Sequence, residues 1–251
     1  MLTDFALHQP VLFVNIVYAH NEKEGRRIAD MFASSPEDAK NHITRNSFVE
    51  SNMDFSELGS GKAIPGVCDL NLKNTLYTAS TPTIFDAGAM RAVYESYGAF
   101  VRDNPGANRS ILLFEAASGK ALEAFPDDYS AYAHRGRMTT NVIIQATWDE
   151  DDDGTVAEAA NVWGKGARDV LAKPEVSGYD RLYAYVNYAN RDEPLAALYG
   201  YDEKRQRRLT HLKQKYDPHG FFNAYRPLPS EMSGWDLPTA SEVPSSNKDE
   251  L

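Results

Sequence analysis

The chain has 251 residues, 42% hydrophobic and 25% charged, the range of an ordinary globular protein with enough apolar surface for a sizeable core. A net charge of −10 and a sequence pI near 5.1 exclude a typical nucleic-acid partner, which requires concentrated positive charge. The single cysteine, Cys68, excludes an intrachain disulfide and a cysteine-based metal cluster, and no apolar run approaches the roughly 18 residues of a membrane span.

In chain order, Val11 to Ala19 is a nearly continuous apolar run, the pattern of a strand covered on both faces. Asn21 and Glu24 form a capping box, with Ile28, Met31 and Phe32 as the inward stripe of the helix that follows. Residues 35–70 carry little pattern beyond an extended hint at Ser47-Phe48-Val49. A strand around Thr75–Ala79 leads to Thr81-Pro82, a cap and first-turn proline. The repeat of Met90, Val93, Tyr94, Tyr97, Phe100 and Val101 then predicts a long amphipathic helix ended by Asn104-Pro105-Gly106. Ile111–Phe114 and Met138–Trp148 read as strands. The acids between Asp149 and Asp153 imitate a calcium loop, but Ala160 stands where the bidentate glutamate belongs. Thr155 and Glu158 fit a capping box better, opening a helix with Val162, Trp163, Ala167 and Val170 inward and Pro174 at its end. Leu182 to Tyr188 alternates with a period of two and predicts a tyrosine-rich strand. Leu209, Leu212 and Tyr216 predict a last helix stopped by Pro218. This order predicts an α+β fold, an antiparallel sheet flanked by helices on one face. From residue 229 to 251 the composition turns to Ser, Pro, Glu and Asp, that of a disordered tail.

Three blocks carry a resemblance. Tyr185-Val186-Asn187-Tyr188, then Tyr199-Gly200, then Leu209 to Pro218 with its Lys215-Tyr216-Asp217-Pro218 ending, resemble the C-terminal signature of the berberine bridge enzyme-like FAD-linked oxidases, vanillyl-alcohol oxidase-type flavoproteins. Ala131-Tyr132-Ala133-His134-Arg135, with Trp148 further along, resembles an upstream segment of the same family. The resemblance implies residues 1–200 as the substrate-binding domain and 201–228 as a return helix and segment that packs on an FAD-binding domain outside this chain.

It also implies chemistry. Family members oxidise an alcohol or amine by hydride transfer to flavin while a base removes a proton, and the base carries over to Tyr188. A phenol with an ordinary pKa near 10 needs neighbouring positive charge or hydrogen-bond donors to serve near neutrality. Asn187 is implied as a cofactor-binding group and Tyr185 as a substrate-binding pocket wall, while His134 reads either as a substrate-binding group paired with Arg135 near the pocket or as a satisfied structural histidine. Asn141 falls where plant members place an acid and binds substrate without exchanging protons. FAD is the implied cofactor, yet no Gly-x-Gly-x-x-Gly or histidine-bearing flavin-attachment segment is present, so this chain alone is not expected to hold it. The implied partners are a small-molecule substrate, a sugar or secondary metabolite, and an FAD-binding domain.

The residues leave two other readings open: a flavin-free pocket protein that binds a ligand or steers a cyclisation, and an inactive relative. The C-terminal Lys248-Asp249-Glu250-Leu251 is an endoplasmic-reticulum return address, whereas residues from Met1 on lack the basic and apolar regions of a signal peptide. The expected location is therefore the lumen if that address is used and the cytoplasm if the chain is made as given.

Overall fold

The computed structural model describes residues 2–4, 9–11, 18, 21–33, 72–81, 86–116, 118–135, 140–149 and 154–236. Two compact units divide the chain: Thr3–Pro10 with Asn71–Leu251, and Val11–Leu70. In the second, Glu22–Ala33 forms helix α1. Its opening is the predicted cap, since Asn21 Oδ1 accepts the Glu24 N–H at 3.0 Å. Met31, predicted on the inward stripe, is 66% exposed. Leu2–Asp4 (β1) and Gln9–Val11 (β2) pair as a two-stranded sheet. The rest of the predicted Val11–Ala19 strand, apart from Tyr18, lies outside the described residues, as do the Ser47–Val49 hint and Cys68.

The first unit is built on a three-stranded antiparallel sheet in the order β3-β5-β4, with β3 at Leu72–Thr81, β4 at Ile111–Ala116 and β5 at Thr140–Asp149. Pairing of Tyr77 with Ile144 and of Leu112 with Ile144 fixes which side chains share a face. One face gathers Tyr77, Ala79, Leu112, Val142, Ile144, Ala146 and Trp148 into the main core. Helix α2 (Ala87–Asp103) and helix α4 (Thr155–Ala172) cover it, with Phe100 and Trp163 stacked at 4.6 Å between ring centres. The short helix α3 is Lys120–Glu123. The α+β class predicted from the element order is thus found.

Gly164 lies where α4 crosses β3: a Cβ there would come within 2.5 Å of the Tyr77 ring. Gly164→Ala is expected to destabilise by about 1–3 kcal/mol through overpacking, measured as a lowered urea midpoint at unchanged slope.

Three predicted boundaries differ. β3 runs through Thr81, which pairs with Thr140, so Thr81 is a strand residue and not a helix cap, while Pro82 lies outside the described residues. Asp86 caps α2 instead, accepting the Ala89 N–H at 2.7 Å. Gly154, in the left-handed region at φ +100°, precedes α4 without a side-chain cap, replacing the predicted Thr155 capping box. Val162 points outward at 69% exposure, while Trp163 and Ala167 are buried as predicted. The acidic loop at 150–153 lies outside the described residues.

The predicted strand at Leu182–Tyr188 is not one. Short helices α5 (Pro174–Ser177) and α6 (Leu195–Tyr199) flank it, and the Ala184 N–H donates to Ala197 O at 3.1 Å. Val186–Tyr188 closes a 3-10 turn through Tyr188 N–H to Tyr185 O at 2.9 Å. The alternation misleads because Ala184 and Ala189 pack into a second small core with Ala197 and Leu198. Helix α7 (Glu203–Tyr216) follows, capped by Asp202, with Leu209 inward. The predicted tail is ordered as far as Asp236. Met232–Asp236 forms a 3-10 turn, and Trp235, 6% exposed, donates its indole N–H to Thr210 Oγ1 at 2.9 Å. Trp235→Ala should therefore cost about 3 kcal/mol in thermal unfolding, whereas a disordered tail would show no change. Residues 237–251, including the Lys248–Leu251 address, lie outside the described residues.

Candidate functional site

The sheet face turned away from α2 and α4 carries Leu113 and Glu115 on β4 and Asn141 and Ile143 on β5. The register pairs Leu113 with Ile143 and Glu115 with Asn141. The outer edge of β3 would ordinarily expose unpaired backbone groups, and here two side chains fill it. Asn190 Nδ2 donates to Leu76 O at 2.6 Å and to Thr75 Oγ1 at 2.9 Å, while the Thr78 N–H donates to Glu193 Oε1 at 3.3 Å. Glu193 Oε2 also accepts the Asn190 N–H at 2.6 Å, so one carboxylate closes the 190–193 turn and holds it on the strand.

Glu193 is sealed from solvent, and burial pushes its carboxyl up to about 7. Arg168, also buried, donates to Asp192 at 2.9 Å and to Glu193 Oε1 at 3.5 Å. Arg226, held at φ +50°, donates Nη1 to Glu193 O at 2.8 Å, and Tyr225 donates its hydroxyl to Ala189 O. The segment bearing Tyr188 is thereby fastened on both flanks.

From this anchored segment Tyr188 reaches across the sheet. Its hydroxyl donates to Glu115 Oε2 at 3.2 Å on the far strand, two strand spacings or about 10 Å from β3. Tyr185 meets Tyr188 edge to face at 5.2 Å and Tyr132 at 6.4 Å. Asn187 donates Nδ2 to the Tyr185 hydroxyl at 2.7 Å, which fixes both side chains. Asn141 Oδ1 is buried without a hydrogen-bond partner, an acceptor with nothing of this chain's described residues to receive.

The electrostatics run against a lowered phenol pKa. Burial first, and then the Glu115 carboxylate, push the Tyr188 phenol up, so it stands as a proton donor to Glu115. The carboxylate was not among the predicted residues. Its only sequence signal is the period of two that places it on the Leu113 face, two positions beyond.

His134 lies behind this group, its ring meeting Tyr132 edge to face at 5.6 Å. It is 1% exposed, and its Nε2 lies 2.9 Å from Ala184 O, so the ring donates there and ties the 131–135 segment to the second core. Burial lowers its pKa to about 4, which keeps it neutral. The carbonyl of Ala184 and the rings of Tyr132 and Tyr183 enclose it. A separate open cavity of about 400 Å³, lined by Asp127, Asp180, Arg181, Tyr201 and Arg205, includes none of the predicted site residues.

The Lys215–Pro218 motif also has a local cause. Asp217, C-capping α7, takes a hydrogen bond from Lys213 and accepts the N–H groups of Phe221 and Phe222 at 2.7 and 3.0 Å. The Lys213 bond holds its carboxyl below the usual range, and Gly220 turns the chain at φ +69°. This turn presents Phe221 and Phe222 to solvent at 82% and 77% exposure.

Comparison with known proteins agrees with this fold. Residues 184–229 match the family described as berberine and berberine like. The chain is 31% identical over 225 residues to the FAD-linked oxidoreductase tazG of Aspergillus terreus, covering 88% of this chain and 43% of that protein. It is 35% identical over 145 residues to the FAD-linked oxidoreductase srdI of Neurospora crassa, covering 58% and 28%. Among solved structures it superposes on a variant of berberine bridge enzyme with a TM-score of 0.59 at 16% identity, over 84% of this chain and 44% of that one. For a Phl p 4 variant described as a glucose oxidase the values are 0.55, 20%, 81% and 44%. At such identities the structural likeness is one of fold.

The chain belongs to the berberine bridge enzyme-like family of FAD-linked oxidoreductases. It spans less than half the length of these relatives, 28% and 43% of the two named. No helix among the described residues is long and apolar enough to cross a membrane.

Proposed function

We propose that this chain is the substrate-side portion of an FAD-dependent oxidase of alcohols, with Tyr188 and Glu115 as its proton path. The hydrogen bond from the Tyr188 hydroxyl to Glu115 at 3.2 Å is the observation that carries this reading. FAD, when bound, accepts the hydride from the substrate carbon. The residues of this chain suit the ring side of that cofactor: Asn187 is exposed and oriented by Tyr185, and Asn141 offers a bare acceptor. The exposed Phe221 and Phe222 suit contact with a flavin-bearing domain, which would cover them.

With burial and the Glu115 carboxylate holding the phenol up, Tyr188 works as a conduit. The substrate hydroxyl gives its proton to the Tyr188 oxygen as the Tyr188 proton moves to Glu115. The phenol is neutral before and after, and the carboxylate takes up the charge change. Asn141 orients the substrate and Tyr185 walls the site.

The test is anaerobic mixing of the flavin-bearing protein with a panel of primary alcohols. The expected result is loss of the oxidised flavin absorbance and release of the aldehyde. A protein that stays fully oxidised with every alcohol, yet binds them, belongs to the flavin-free or inactive readings instead.

A further inference from the structure

We infer that the rings leading from Tyr188 to Tyr201 form a one-electron relay, which carries an oxidising equivalent away from the candidate site to the open cavity beside Tyr201. Only the choice of Tyr188 as the starting point rests on the oxidase reading, while the relay follows from the placing of the rings.

The line is continuous. Tyr188 meets Tyr185 at 5.2 Å between ring centres, and Tyr185 meets Tyr132 at 6.4 Å. Tyr132 meets the His134 ring at 5.6 Å, and His134 meets Tyr183 at 5.9 Å. Tyr183 meets Tyr201 at 5.6 Å, and both line the cavity of about 400 Å³. Every step lies inside the roughly 4.5–7 Å of aromatic contact. Electron tunnelling falls steeply with the gap between donor and acceptor, so rings in contact pass an electron where one long jump would not.

The choice of side chains fits transport better than packing. A buried hydroxyl costs free energy unless it is bonded, so packing alone favours phenylalanine inside such a line. Yet all five carbocyclic rings are tyrosines, including Tyr183 at 7% exposure. A phenol gives up an electron more readily than a phenyl ring because it sheds its proton in the same step. The His134 imidazole, held by its bond to Ala184 O at 2.9 Å, fills the gap between Tyr132 and Tyr183. Tyr188 and Tyr201, at the two ends, are half-buried and reach solvent.

The oxidant is a hydroxyl radical. It takes one electron from Tyr188 and becomes hydroxide, while the Tyr188 proton passes to Glu115. Tyr185 refills Tyr188, whose proton returns from Glu115. Tyr132 refills Tyr185, Tyr183 refills Tyr132 across His134, and Tyr201 refills Tyr183, so each phenol in between recovers the electron and proton it lost. Tyr201 ends as the neutral phenoxyl radical, its proton released to cavity water and matching the hydroxide formed at the start. A small hydrogen-atom donor such as ascorbate then restores the Tyr201 O–H bond. Net, the hydroxyl radical becomes water and the donor loses one hydrogen atom.

The experiment tethers a ruthenium polypyridyl photo-oxidant beside Tyr188 through Asn187→Cys, in a Cys68→Ser background with no flavin present. After a flash with a sacrificial electron acceptor, a nitroso spin trap marks tyrosyl radicals and mass spectrometry locates them. The expected result is an adduct on Tyr201 that is lost in Tyr132→Phe and in Tyr185→Phe, with the adduct on Tyr188 retained. Both substitutions keep the ring, and Tyr185→Phe, at a half-exposed position, makes the same cut should Tyr132→Phe not fold. Tyr129→Phe, an exposed ring off the line, should change nothing.

Absence of an adduct on Tyr201, or one that survives both substitutions, would overturn the inference. Because the flash needs neither flavin nor substrate, a Tyr201 adduct found where alcohols fail to reduce flavin would defeat the oxidase reading and leave the relay standing. Flavin reduced by alcohols in a protein whose Tyr201 stays unmarked would do the reverse.

Discussion

Glu115→Gln in the flavin-bearing protein is expected to lower kcat/KM for the alcohol about 10²–10⁴-fold, the range of general acid–base catalysis. The amide still accepts the Tyr188 hydroxyl but cannot take its proton, so substrate binding should change little and the loss should fall on kcat. Tyr188→Phe should cost a similar factor. The double variant should be scarcely worse than either single one, because both remove the same path. Additive losses in the double variant would show that the two residues do not form one path. Since burial and Glu115 hold the Tyr188 phenol up, Glu115→Gln should also let it ionise at lower pH, read by ultraviolet difference absorbance in the chain alone.

Glu193→Ala is expected to destabilise by about 3–5 kcal/mol, the cost of breaking a buried charged pair by removing one partner. It strips partners from the Thr78 and Asn190 N–H groups and from Arg168 at once. Urea unfolding checks the value. The pH dependence carries a definite sign. A carboxyl ordinarily at 4.5 and pushed up to about 7 by burial binds its proton more tightly folded than unfolded. Its contribution is therefore fully present below 4.5 and is lost as pH rises towards 7. Arg168 and Asp192 face it, with Lys165 3.4 Å from Asp192. The protein should unfold at lower urea at pH 7.5 than at pH 5, and Glu193→Gln should flatten the slope. A slope retained in Glu193→Gln would assign it to another group.

Much of the fold was legible because local patterns decide it. The Met90–Val101 repeat could be little other than a helix, and Val142–Ile144 in an apolar run could hardly avoid a central strand. The site was legible only in part. Tyr188, Tyr185 and Asn187 lie in one short motif and arrive together. Glu115 needed the β4–β5 register, a non-local property that pattern does not encode. Period two at Leu182–Tyr188 promised a strand, but the β3 edge such a strand would need is taken by Asn190 and Glu193. His134 carried the motif's strongest chemical letter and lies in the interior, its ring donating to Ala184 O. The polar run after residue 229 concealed Trp235, because one indole with one hydroxyl partner is enough to order a turn that composition reads as loose.

The plugging of the β3 edge bears on the order in which the molecule comes together. Asn190 and Glu193 grip residues 114 and 115 positions earlier, Leu76, Thr75 and Thr78, so the intervening loop must close before either bond forms. That grip is useless until β3 has zipped to β5. The segment bearing Tyr188 therefore settles at the end of folding, and the phenol meets its carboxylate only in a molecule whose sheet is already complete.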